Sequence, residues 1–204
     1  MNPEAGKIDW QYPAPRKKGF GAFIDRLVGP GATPAELWLQ FGFAVAAGLT
    51  MLYFGLQPEL GWNGWQVAVA AYLVFDICGG IATNATNAAK RWWHRKERQN
   101  FKSHMKFILP HFYMPLFIML AFFPGQWDLF AIIYGYLVLG AIGIAQTPLY
   151  LRRPVAFILY TGALVMNAYL FEMPLGLEWF IPLLYLKLFM AHLIREAPYR
   201  PIDK

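Results

Sequence analysis

The chain has 204 residues, 57% of them hydrophobic, 18% aromatic and only 15% charged. A soluble domain carries about 25% charged residues, so this balance excludes a disordered chain, a disulfide scaffold and an ordinary water-soluble enzyme. The formal charge of +6 does not point to nucleic acid, because the basic residues stand beside long apolar runs. The single cysteine, Cys78, lies within such a run and allows no intrachain disulfide.

The expected fold is all-α: a polytopic integral membrane bundle of six transmembrane helices, with both termini in the cytoplasm. Residues 1–33 form a cytoplasmic arm, 34–196 the six-helix domain and 197–204 a cytoplasmic tail. In the arm, Phe20, Phe23, Ile24, Leu27 and Val28 recur at helical spacing beside Lys17, Lys18 and Arg26. That pattern predicts an amphipathic helix, lying on the inner leaflet or packed under the bundle. A membrane crossing needs about 20 mostly apolar residues. Ala35–Leu56 is the first such stretch, with Thr33 as its cap and Pro34 at its first position. Trp65–Ala89 and Phe101–Phe123 follow, the latter bent at Pro110 and Pro115. Trp127–Gln146, Pro154–Phe171 and the short Leu177–Ile194 complete the set.

Basic residues fix the expected orientation. Of 18 Lys and Arg residues, all but Lys187 fall before the first stretch, around the second-to-third and fourth-to-fifth connections, or after the sixth. The intervening connections, Gln57–Gly64, Pro124–Gln126 and Glu172–Gly176, contain none. The positive-inside rule then places both termini in the cytoplasm, as in a bacterial inner membrane protein.

The second stretch carries the chemistry. At ~100° per residue, Asp76, Gly80, Asn84, Asn87, Arg91 and His94 fall within an arc of about 80°. An intramembrane carboxylate is expensive and should face a partner or a wet cavity. His104 and His111 share a face of the third stretch, where they can meet this stripe. The expected site is a cytoplasm-facing pocket between the second and third spans. Asp76, His104 and His111 would be its catalytic acid–base groups, and Asn84, Asn87, Lys90, Arg91, His94 and Arg95 would hold the substrate. Structural glue accounts equally for part of the stripe, since Gly, Thr and Asn commonly join membrane helices.

No nucleotide-binding, zinc-protease or serine-hydrolase motif occurs, and no metal site or cofactor is identified. The leading expectation is a membrane-embedded enzyme acting on an amphipathic lipid or isoprenoid. An accessory subunit of a larger membrane complex, contacting pigment, quinone or protein, is the second. A haem-bearing electron carrier using His104 and His192 is the third, and a proton-coupled transporter the fourth. The expected partners are anionic headgroups of the cytoplasmic leaflet and other membrane proteins, not nucleic acid.

Overall fold

The computed structural model describes residues 6–201, and it is all-helical apart from two three-residue strands. Lys204 and the outermost residues of the arm and tail lie outside the described residues. Strand β1 (Gly6–Ile8) pairs antiparallel with β2 (Tyr199–Pro201), so the two ends of the chain are tied together.

Helix α1 (Gly19–Val28) turns Ala22, Asp25 and Val28 inward and leaves Phe20, Phe23 and Leu27 exposed. Arg16 clamps it by donating to both carboxylate oxygens of Asp25, from Nε at 3.0 Å and Nη2 at 2.6 Å. Helix α2 (Pro34–Gly55) starts where the sequence indicates. Thr33 accepts from the Glu36 amide, and Glu36 accepts in return from the Thr33 amide. The other carboxylate oxygen of Glu36 accepts from the Ala88 amide at 3.0 Å, so one side chain serves two helix starts.

Helix α3 (Gly64–Ala85) runs back along α2, with small residues at the seam. A Cβ added at Gly79 would lie 2.9 Å from the Ala44 Cβ, and one at Gly48 3.2 Å from that of Phe75. The second stretch does not continue straight to Ala89 as expected. At Thr86 the backbone is extended (φ −71°, ψ 151°), and α4 (Asn87–Trp93) restarts beyond it. Thr86 causes the break: its hydroxyl donates to Thr83 O and accepts from the Ala89 amide, capping the new helix.

The third stretch is α5 (Phe101–Ile108), a 3₁₀ turn Leu109–Phe112 around Pro110, and α6 (Tyr113–Phe122). Helix α7 (Trp127–Gln146) has the expected limits, whereas α8 (Leu149–Tyr169) begins five residues before the expected Pro154, which it contains. Arg152 explains the earlier start: it donates to Ala145 O and Thr147 O at the end of α7, fixing the corner from within α8.

Five helical segments among the described residues are long and apolar enough to cross a membrane: Pro34–Gly55, Gly64–Ala85, Phe101–Phe122, Trp127–Gln146 and Leu149–Tyr169. Large apolar side chains such as Trp38, Leu49, Leu139 and Ile158 project outward from them, as lipid contact demands. The sixth stretch is shorter than expected. Helix α9 (Phe180–Tyr185) passes into a π-helical segment, Leu186–His192, giving 13 apolar helical residues. This segment is the centre of the fold, with Phe180, Ile181, Leu184, Leu188 and Phe189 wholly buried. It packs against α3, α7 and α8.

Candidate functional site

Asp76 has the partner that its position requires, and that partner is Lys187. Lys187 Nζ lies 2.8 Å from Asp76 Oδ2 and 3.3 Å from the Asp76 carbonyl. Tyr113 donates to the same carboxylate oxygen at 2.7 Å. The lysine side chain is only 4% exposed, the aspartate 32%, so the carboxylate is the open end of a buried pair. Gly80 makes the room: a Cβ there would sit 2.3 Å from Lys187 Cε.

Ideal α-helical spacing puts Lys187 on the opposite side from His192. The π segment overturns that expectation. Its i→i+5 hydrogen bonding, closed by Leu193 N to Leu188 O at 3.3 Å, brings residues five apart onto one side. Lys187 and His192 are five apart, and both face α3, one at Asp76 and the other at Asn84.

The second layer is built of imidazoles. Asn84 Nδ2 donates to Gly80 O at 2.8 Å, which turns its carbonyl toward His192 Nδ1 at 3.0 Å. His192 Nδ1 therefore carries the proton. By the same logic His94 donates from Nε2 to His192 O at 2.8 Å, and His111 donates from Nδ1 to Phe107 O at 2.7 Å, leaving His111 Nε2 as a bare acceptor. The Phe107 ring lies flat on His192, with centroids 3.5 Å apart and planes within 9°. His94, His104 and His192 pack together with centroids 5.7–6.3 Å apart. No group of three or more His, Cys, Asp or Glu suited to a metal ion occurs among the described residues. Burial, reinforced by the nearby Lys90 charge, pushes His94 down to about 3, so its ring is neutral at ordinary pH.

Between α1, α2, α3 and α5 lies a cavity of about 360 Å³. Leu27, Phe41, Phe75, Trp93 and Phe107 give it apolar walls, while Asp76, Lys187, Tyr113, His111, Thr83 and Asn84 supply polar groups. Gln40 is 1% exposed and lines the same space, and both polar atoms of its amide lack a hydrogen-bond partner. Burying an amide unpaired costs about 1–3 kcal/mol.

The expected site residues divide at Thr86. Asp76, Asn84 and His111 line the cavity. His104 does not, being 3% exposed within the imidazole cluster. Asn87 accepts from the Tyr199 amide at 2.9 Å and so anchors the C-terminal segment. Lys90 is buried and donates to Ala191 O and Ile194 O, each at 2.7 Å, capping the π segment. Burial lowers its ammonium below the usual lysine range, while Glu196 at 3.4 Å pulls the other way. Arg91 is buried as well. Arg95 sits over the Trp92 ring at 3.7 Å and donates to the Trp92 carbonyl. None of the expected rim of Lys90, Arg91 and Arg95 borders this cavity, because the break at Thr86 redirects α4 away from the line of α3.

Sequence reasoning left three contributors out of the expected site: Lys187, on which only the transporter alternative drew, Tyr113 and Gln40. A signal existed for the first, since an intramembrane lysine and an intramembrane aspartate each need an opposite charge. No protein-family model, curated protein or solved structure matches this chain, and the chemistry must be argued from its own residues.

Proposed function

We propose that this is an integral membrane enzyme that takes the body of an amphipathic lipid- or isoprenoid-class molecule into the cavity and moves a proton at its polar end. The observation that carries this reading is the Tyr113–Asp76–Lys187 cluster at the wall of an otherwise aromatic cavity that also holds His111. His111 Nε2 is the proton acceptor. The Lys187 ammonium, held by Asp76, offsets the negative charge that develops as the proton leaves. The orphaned amide of Gln40 both donates to and accepts from the substrate's polar end. His104 drops out of the catalytic set, which becomes Asp76, Lys187, Tyr113 and His111.

The proposed topology has six crossings with both ends on the cytoplasmic face of a bacterial inner membrane. The one-sided distribution of Lys and Arg supports it. So does the pairing of β1 with β2: ends that meet on one face require an even number of crossings. With five long spans, Phe180–His192 then supplies the sixth, sheltered from lipid by its neighbours.

The test is conversion of a membrane lipid extract by the protein in nanodiscs, followed by mass spectrometry of substrates and products. Asp76→Asn and His111→Gln, each with a wild-type melting profile, should abolish turnover. Full activity in both variants would overturn the assignment.

A further inference from the structure

A second cavity, of about 480 Å³, lies where α4, the start of α8 and the chain beyond the π segment converge. It shares no lining residue with the cavity at Asp76. Four cationic side chains line it, Lys90, Arg152, Arg153 and Arg195, against one carboxylate, Glu196. Lys90 and Arg152 are committed to backbone carbonyls and contribute their field. Arg153 is exposed. Nε of Arg195 is buried without a hydrogen-bond partner.

The helix that opens onto this space is charged the wrong way. Leu149, the first residue of α8, lines the cavity, and the N-cap residue is Pro148, whose side chain caps nothing. The first turn holds no acid, and Arg152 and Arg153 follow at once. Cations near a helix N-terminus oppose the helix dipole, and like charges crowded around a half-buried space repel one another. An anion in the cavity reverses both penalties. It would meet the unpartnered Nε of Arg195, whose guanidinium also lies 4.3 Å from the Trp10 ring centroid, the exposed guanidinium of Arg153, and the amide of Leu149 at the start of α8.

We infer that this cavity binds a phosphate-class anion, either the phosphodiester of a lipid headgroup or a soluble phosphate compound. Guanidinium pairs on a tetrahedral oxyanion are the strongest recognition available here, and the cavity exceeds what phosphate alone fills, leaving space for an attached group.

Labelling of Cys78, the sole cysteine and a buried one, by a fluorogenic maleimide reports opening of the bundle. A ligand that binds only the folded state slows labelling by a factor of 1 + [L]/Kd. In neutral detergent, inorganic phosphate is compared with chloride at equal ionic strength. In a second arm, phosphatidylcholine nanodiscs are compared with nanodiscs containing phosphatidylglycerol. Slowing of about tenfold by 10 mM phosphate, for a Kd of ~1 mM, identifies a soluble phosphate ligand, and slowing confined to phosphatidylglycerol nanodiscs identifies a headgroup. In either case the effect must be lost in Arg153→Gln/Arg195→Gln and kept in Lys17→Gln/Lys18→Gln. Should the double variant misfold, Arg153→Gln alone must raise the half-saturating concentration about tenfold, the loss of one charged hydrogen bond. No protection in either arm, or protection unchanged in the arginine variants, overturns the inference.

Discussion

Replacing Lys187 by Met is the sharpest perturbation of the central pair. It removes the ammonium 2.8 Å from Asp76 Oδ2 and leaves an aliphatic chain of similar length against Gly80. Stripping one partner from a buried ion pair costs about 3–5 kcal/mol, because the remaining charge is left uncompensated. Asp76 retains the Tyr113 hydroxyl and is one-third exposed to the cavity, which reduces the expected loss to about 2–3 kcal/mol. Removing both charges in Asp76→Asn/Lys187→Met leaves no orphan, so the double variant should lie within about 1 kcal/mol of wild type. Cys78 supplies the assay, being 6% exposed on α3 beside this pair. A loss of 2–3 kcal/mol accelerates maleimide labelling by roughly 30- to 150-fold when reclosing outpaces reaction. The double variant should label within about fivefold of wild type. Wild-type labelling of Lys187→Met, or a double variant as reactive as the single one, would show that Lys187 does not compensate a buried Asp76 charge.

Gly80→Ala places a Cβ 2.3 Å from Lys187 Cε and should displace the ammonium at a cost of about 1–3 kcal/mol, measured as a lowered melting temperature in the wild-type background and no further lowering in a Lys187→Ala background. Gly29 has φ +91°, and a Cβ there would meet Ala88 O at 2.4 Å; Gly29→Ala should therefore release α1 from α4 and speed tryptic cleavage at Arg26, which is surface-exposed but held in helix, whereas an unchanged digestion rate would contradict that docking. His94 makes stability acid-sensitive: burial keeps the folded ring neutral down to about 3, so below the unfolded value of ~6.5 the unfolded chain binds the extra proton. Stability attributable to this residue is intact above pH ~6.5 and falls by about 2 kcal/mol on reaching pH 5. His94→Gln preserves a donor to His192 O and should remove that part of the acid sensitivity in melting experiments at pH 7 and pH 5. Equal acid sensitivity in the two proteins would exclude His94 as its source.

Much of the architecture is legible in local chemistry. Thr33 and Pro34 announce α2, Pro110 marks the 3₁₀ turn in the third stretch, and the mostly apolar stretch from Trp127 to Gln146 is found as written. The need of Asp76 for a partner was equally plain from the cost of an intramembrane charge. What could not be read was which residue answers it. Angular arithmetic assumes α-helical spacing, and the π segment places Lys187 with His192 instead of opposite to it. The stripe from Asp76 to His94 failed for a related reason. Thr86 looked like one more residue of a continuous helix, yet its hydroxyl ends one helix and caps the next. The residues beyond it were thereby turned to structural work, Lys90 as a cap on the π segment and Asn87 as an anchor for the tail. Pro154 misled in the opposite sense: proline is tolerated near a helix start, and Arg152 tying α8 to α7 outweighs it.

The aromatic cavity at Asp76 is proposed to hold an amphipathic molecule, and its occupant can be looked for directly. Protein purified in mild detergent is extracted with organic solvent and its bound lipids are identified by mass spectrometry, in parallel with Thr83→Phe, which fills the cavity from α3. One class of amphipathic molecule near one per chain in the wild type, and absent from Thr83→Phe, is the expected result. Identical extracts from the two proteins would show that nothing occupies the cavity and would contradict the account.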